Sequence, residues 1–215
     1  MADLPLTLPA ATSGLLADAL DREGKILRAL EALGPISDRD VLVVGGGPSE
    51  IGRLTSAGAR VMSVDSIPGD AARPLAAGSV DVIVSAWAGF RGVDPAVLAE
   101  ADRILRPGGR LLVVHDYGRD DVSRLRGDLP EYGAWSRPNG PFLTNGFRVR
   151  VLHCFWTFET IEAARVFLAE AFGAVGEAVG TGLKRPRLTW NVAVYHRTNG
   201  GDDRGGPTDG PTAGG

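Results

Sequence analysis

Residues 41–50, Val41-Leu42-Val43-Val44-Gly45-Gly46-Gly47-Pro48-Ser49-Glu50, decide the fold. Four branched aliphatic side chains with no polar alternation suit a strand buried on both faces, as in a parallel sheet covered by helices. The glycines that follow let the backbone turn sharply and let a ligand approach the main chain without meeting a Cβ atom. Ser49 is expected to cap the next helix, whose Ile51 and Leu54 lie three apart and which Gly58 ends. Strand, tight turn and helix form the unit at which open sheets bind ligands.

Upstream of this unit, residues 13–33 read as a helix capped by Ser13. Leu16, Leu20, Leu27, Leu30 and Leu33 recur near helical spacing, Gly34-Pro35 is the stop, and Gly24 is the weak point. Downstream, a helix at 50–57 leads to a second strand, Ala59–Val64, closed by Asp65. Asp65 lies 20 residues after Gly45, the interval at which a nucleotide-binding sheet places an acid for the ribose hydroxyls. An aspartate ending a strand is also a common turn residue. Only 15 residues separate Asp65 from Asp81, where the apolar run Val82-Ile83-Val84 begins. A crossover helix, a further parallel strand and their loops need more chain than that. The usual third strand and its helix are therefore expected to be missing.

Asp94-Pro95 opens a helix with a buried stripe at Leu98, Ala101, Ile104 and Leu105, ended by Pro107-Gly108-Gly109. Leu111–Val114 is another buried strand and runs into His115-Asp116-Tyr117. Residues 118–141 form a long charged, then glycine- and proline-rich connection, of the kind that carries binding loops. Phe147–Phe158 reads as a strand, Thr160–Phe172 as an amphipathic helix and Leu188–His196 as a last strand. The whole is an α/β, Rossmann-like, doubly wound and mainly parallel sheet. Residues 1–198 are expected to be one domain, and the glycine-rich tail, 199–215, to be disordered for want of large apolar residues.

Composition narrows the partners. The 215 residues carry a net charge of -3 and 44% hydrophobic residues, which gives no general attraction to nucleic acid or anionic membrane. The single cysteine, Cys154, leaves no internal disulfide and no cysteine-cluster metal site. The start, MADLPLTLPAAT, lacks a basic leader, and no apolar run approaches the roughly 18 residues of a membrane span. A reducing cytoplasm is the expected compartment.

VLVVGGGPSEIGRL, the Asp65 after the second strand, GDAARPLAAGSVDVIVSAW and above all ILRPGGRLLVVHD resemble the class I S-adenosylmethionine-dependent methyltransferases. The resemblance covers about residues 25–116, with NGFRVRVL as a fainter continuation. It implies the class I fold without its third strand, S-adenosylmethionine as cofactor, and a set of site residues. Gly45, Gly46 and Gly47 match the bend under the methionine part of the cofactor, and Asp65 the acid on the ribose. Asp70 matches the residue beside the adenine, and Ser85 to Trp87 the segment that lines the transfer pocket. Two positions depart from the pattern. Val43 stands where the family usually has an acid that helps hold the methionine amino group, and Ser49 where it often has glycine. A missing charge-assisted hydrogen bond costs about 1.5 to 3 kcal/mol, roughly tenfold or more in affinity.

A dinucleotide-binding enzyme is the main competitor, but G-x-G-x-x-G would put glycine where this chain has Glu50. A carboxylate in that first turn would face a pyrophosphate, whereas a sulfonium cation tolerates it. His115 and Asp116, at the end of a central strand, stand where a base would be if the acceptor is protonated. Tyr117 shares their position, and Tyr132 and Trp135 in the long connection are placed to lid an apolar or aromatic acceptor. The expected partner is a small-molecule acceptor, with no metal. Loss of the third strand leaves the second near a sheet edge, which admits a homodimer joined there. The alternative is a non-catalytic relative that keeps the fold and binds the cofactor weakly or not at all.

Overall fold

The computed structural model describes residues 8, 10–68, 75–127, 129 and 131–200. In chain order the elements are α1 (Ala10–Ala19), α2 (Lys25–Leu33), β1 (Asp40–Val44), α3 (Pro48–Ser56), β2 (Arg60–Val64), β3 (Val80–Ala86) and α4 (Pro95–Ile104). There follow β4 (Leu105–Asp116), α5 (Asp121–Arg126), α6 (Pro141–Thr144), β5 (Arg148–Thr157), α7 (Ile161–Gly182) and β6 (Arg187–Thr198).

The six strands lie in the order β2-β1-β3-β4-β6-β5. β2, β1, β3 and β4 are parallel, and β6 runs antiparallel between β4 and β5. From β1 the chain winds outward to β2 and then back across to β3, so the topological switch point lies between β1 and β3, above their carboxyl ends. The expected shortening holds among the described residues: β2 is an edge strand, and along the chain no strand intervenes before β3.

Alternation along the strands sorts two cores. Val41, Val43, Leu112 and Val114 face the side covered by α1, α2, α3, α5 and α7, while Leu42, Val44, Leu111 and Val113 face α4 and α6. Val41–Val44 are each 1% exposed or less, which is why that run carries no polar residue.

Several boundaries differ from the sequence expectation, each for a local reason. The helix foreseen over 13–33 is two helices, because Asp21 and Gly24 adopt left-handed φ of 45° and 63°. The Asp21 carboxylate then accepts the Lys25 and Ile26 N–H groups at 2.9 and 2.8 Å and caps α2. Ser13 lies inside α1 and is no cap. α3 starts earlier than foreseen, with Gly47 at its N-cap and Pro48 in the first turn, so Ser49 does not cap it. Asp94 caps α4 as expected, accepting from Ala96 and Val97. α5 was hidden in the long connection, where Asp120 and Ser123 form a reciprocal capping box. Beyond Phe172, α7 continues to Gly182 past a break at Gly173. In β5, His153 is exposed and Cys154 buried, on opposite faces. The tail beyond 200 and Asp70 lie outside the described residues.

Candidate active site at the switch point

Gly45 takes φ 67° and its N–H donates to Val64 at 2.8 Å, which folds the chain over the end of β1. The space a side chain would fill at Gly45 is taken by the methyl of Ala88, from the loop after β3. At Gly46 it is taken by Val43 Cγ1, with Glu50 Oε2 at 2.9 Å from the same point. α3 then leaves the bend, and its first turn carries Glu50.

Between the bend and α1–α2 lies a cavity of about 110 Å³. Leu20, Leu27 and Leu54 supply apolar walls, Trp87 and Trp190 an aromatic one, and Gly47, Ser49, Arg53, Asp21 and Glu50 its polar rim. Burial pushes the Glu50 carboxyl up to about 7, and among the described residues Arg53 pulls the other way. No described residue makes a hydrogen bond to it. A carboxylate among apolar and aromatic walls suits a cation with an organic body.

Trp87 and Trp190 stack with centroids 5.3 Å apart, and both indole N–H groups donate to Asp116 Oδ1, at 3.0 and 2.9 Å. Asp116 Oδ2 pairs with Arg126, whose side chain is 3% exposed. Both carboxylate oxygens are thus engaged, and Asp116 faces the same side as Val114. His115 points to the other face, as adjacent strand residues must. There its Nε2–H donates to the Gly89 carbonyl at 3.0 Å, and its ring meets Trp135 edge-on at 4.9 Å. Since a carbonyl only accepts, Nε2 carries the proton in the neutral ring. Burial pushes the His115 pKa down to about 4.

Beyond Trp87 a narrow cleft is bounded by His115, Asp116, Arg126, Tyr132 and Trp135, with Arg91 paired to Glu131 across its mouth. Five of the residues singled out from sequence meet there. The Tyr132 hydroxyl is buried and has no hydrogen-bond partner among the described residues. Tyr117 is half-buried beneath the Arg119 guanidinium rather than in the cleft. Ser85 is fully buried and accepts the Gly89 N–H at 3.0 Å, which ties down the loop carrying Ala88. Asp65 follows β2 and is exposed.

Sequence reasoning missed Trp190, Arg126 and Asp21 as parts of the site. Trp190 arrives on an antiparallel strand inserted beside β4, and Arg126 on a helix within the connection; neither position carries a local signal. Glu50 was legible as a charge in the first turn of α3, but its burial was not. Among the described residues no group of His, Cys, Asp and Glu is arranged to hold a metal, and no helix is long and apolar enough to cross a membrane.

Residues 22–113 match a family model described as a methyltransferase domain. Among solved structures, the chain is similar to the YcgJ protein of Bacillus subtilis, at 13% identity over 83% of this chain and 99% of that one, TM-score 0.50. It is also similar to a putative type II methyltransferase from Anaeromyxobacter dehalogenans, at 21% identity over 80% and 94%, TM-score 0.52. A third is an S-adenosylmethionine-dependent methyltransferase from Aquifex aeolicus, at 18% identity over 87% and 97%, TM-score 0.49. No curated protein sequence matches the chain.

Proposed function

We propose, on the match of residues 22–113 to a methyltransferase domain and on the shared fold, that the chain transfers a methyl group from S-adenosylmethionine to a small-molecule acceptor. The observation that carries this reading is the apolar cavity against the glycine bend, with a carboxylate facing into it. Such walls exclude water and suit the cationic, methionine end of S-adenosylmethionine, whose chemistry when bound is an electrophilic methyl carbon. Gly45, Gly46 and Gly47 would bring the main chain against it, with Asp65, whose carbonyl oxygen lies 3.6 Å from where a Gly45 Cβ would stand, beside the bend for the ribose. The protein's own task is to hold the acceptor in line and dry.

In this reading the cleft past Trp87 takes the acceptor, between Tyr132 and Trp135. Asp116 is a positioning residue, because its oxygens hold Trp87, Trp190 and Arg126. His115, neutral at physiological pH and bordering the cleft, is the candidate base for an acceptor that must lose a proton. The lack of a general basic charge on the chain supports a small acceptor over a nucleic acid.

Calorimetry on the full chain with S-adenosylmethionine and S-adenosylhomocysteine tests this; absence of binding below roughly millimolar concentration overturns it. Asp65→Ala is expected to weaken S-adenosylhomocysteine by about tenfold or more through lost ribose hydrogen bonds, and an unchanged dissociation constant removes Asp65 from the site. One observation favours the non-catalytic alternative: the Ala88 methyl already sits against Gly45 and narrows the bend. A chain that binds neither compound is the result that reading expects.

The bare edge of β2, with Met62 41% exposed, supports a homodimer paired along that strand. Light scattering should then give twice the 22.5 kDa chain mass, and the monomer mass rules it out.

A further inference from the structure

We propose that Glu50, from α3, supplies the carboxylate that holds the cofactor's ammonium group, in place of the acid that β1 lacks at Val43. This rests on the methyl-donor reading above and goes beyond it, because it assigns the role to a residue seven positions away on a different element. The two side chains converge: Val43 Cγ1 and Glu50 Oε2 both border the space on the inner side of Gly46, with Oε2 2.9 Å from where a Cβ would stand. An acid at position 43 would project to the place that Glu50 already reaches.

Three further observations fit a ligand role better than a structural one. Glu50 lines the cavity beside Gly47, Leu20 and Trp87. No described residue donates a hydrogen bond to it, although a carboxylate kept for structure is ordinarily paired. Among the described residues, the charged groups that line the cavity with it are Arg53 from its own helix and Asp21 from the α1–α2 turn, and Asp21 is occupied in capping α2. Val43 of β1 borders the same space at Gly46, and Trp87, just after β3, and Trp190 of β6 line the cavity with Glu50. A bound ammonium would supply the missing partner and draw Glu50 into its ionised form.

Calorimetry with two probes isolates the role. S-Adenosylhomocysteine carries the ammonium, and 5′-methylthioadenosine lacks the whole amino-acid end. Glu50→Gln should weaken the first about tenfold or more and change the second less than about twofold. Val43→Asp added to Glu50→Gln should restore much of the loss. Wild-type protein that binds neither probe overturns the methyl-donor reading, and this proposal with it. Wild-type binding that Glu50→Gln leaves unchanged overturns the proposal alone.

A measurement on the unaltered chain covers failure of the variant to fold. With the free Glu50 carboxyl at about 7, S-adenosylhomocysteine binding at pH 7 should release roughly half a proton, read from the buffer dependence of the heat. 5′-Methylthioadenosine should release none, and equal release by both overturns the proposal. Because that pKa is raised, the stability Glu50 contributes is full below about 4.5 and lost as pH rises through about 7. Glu50→Gln should therefore raise the unfolding temperature at pH 8 while binding weakens; a fall there would mark a structural role instead.

Discussion

Asp116→Ala is expected to lower the unfolding free energy by about 3–5 kcal/mol, measured by urea denaturation at pH 7. The substitution removes the carboxylate that pairs with the Arg126 side chain, 3% exposed, and it frees two buried indole N–H groups that share Asp116 Oδ1. Breaking a buried charge pair from one side costs far more than an exposed pair contributes. Arg126→Met made together with Asp116→Ala should recover part of the loss, since no buried charge then remains. A loss under about 1 kcal/mol would mean that water reaches the cluster and that Asp116 does not hold the two tryptophans. The same substitution should loosen the aromatic wall of the cavity, so ligand binding is to be read only where the variant remains folded.

His115 should account for about 3 kcal/mol of acid sensitivity. Its pKa is pushed from 6.5 to about 4 by burial against Trp135 and Phe142, which outweighs the hydrogen bond to the Gly89 carbonyl. A base whose folded pKa is lowered is neutral in both states above 6.5. As pH falls below that, the unfolded chain takes the proton first, and stability drops until about pH 4, where the folded state takes it too. Glu50 acts with the opposite sign, gaining as pH falls from about 7 towards 4.5. The effect is therefore visible as a difference: His115→Asn should show a shallower fall in stability between pH 6.5 and 4 than wild type. Parallel curves for the two proteins would show that solvent reaches the ring.

The legible part of this protein was the part written in local patterns. The run Val41–Val44 reads as buried because both faces of β1 are covered, and the glycines read as a bend because Gly45 takes a φ few other residues tolerate. The missing third strand was readable as a chain too short to make one. His115, Tyr132 and Trp135 were named from their places at a strand end and in the long connection, and Trp87 from the family resemblance; they meet at one cleft because the sheet's connectivity brings those ends together. The split of the first helix was half visible, since Gly24 marked it and the cap by Asp21 did not.

Sequence by itself thus determined that strand and helix alternate in a mainly parallel sheet, where the glycine bend lies and which residues stand near it, because each follows from spacing and side-chain type within a few residues. Only the tertiary structure decided what those residues are free to do. Asp116 is claimed by Trp190 from 74 positions away, and Ala88 closes on Gly45. No described residue donates a hydrogen bond to Glu50 at the inner side of Gly46, where Val43 of β1 is apolar. Availability of a charge depends on which groups the fold packs against it, and that packing joins segments too distant along the chain for any local pattern to record.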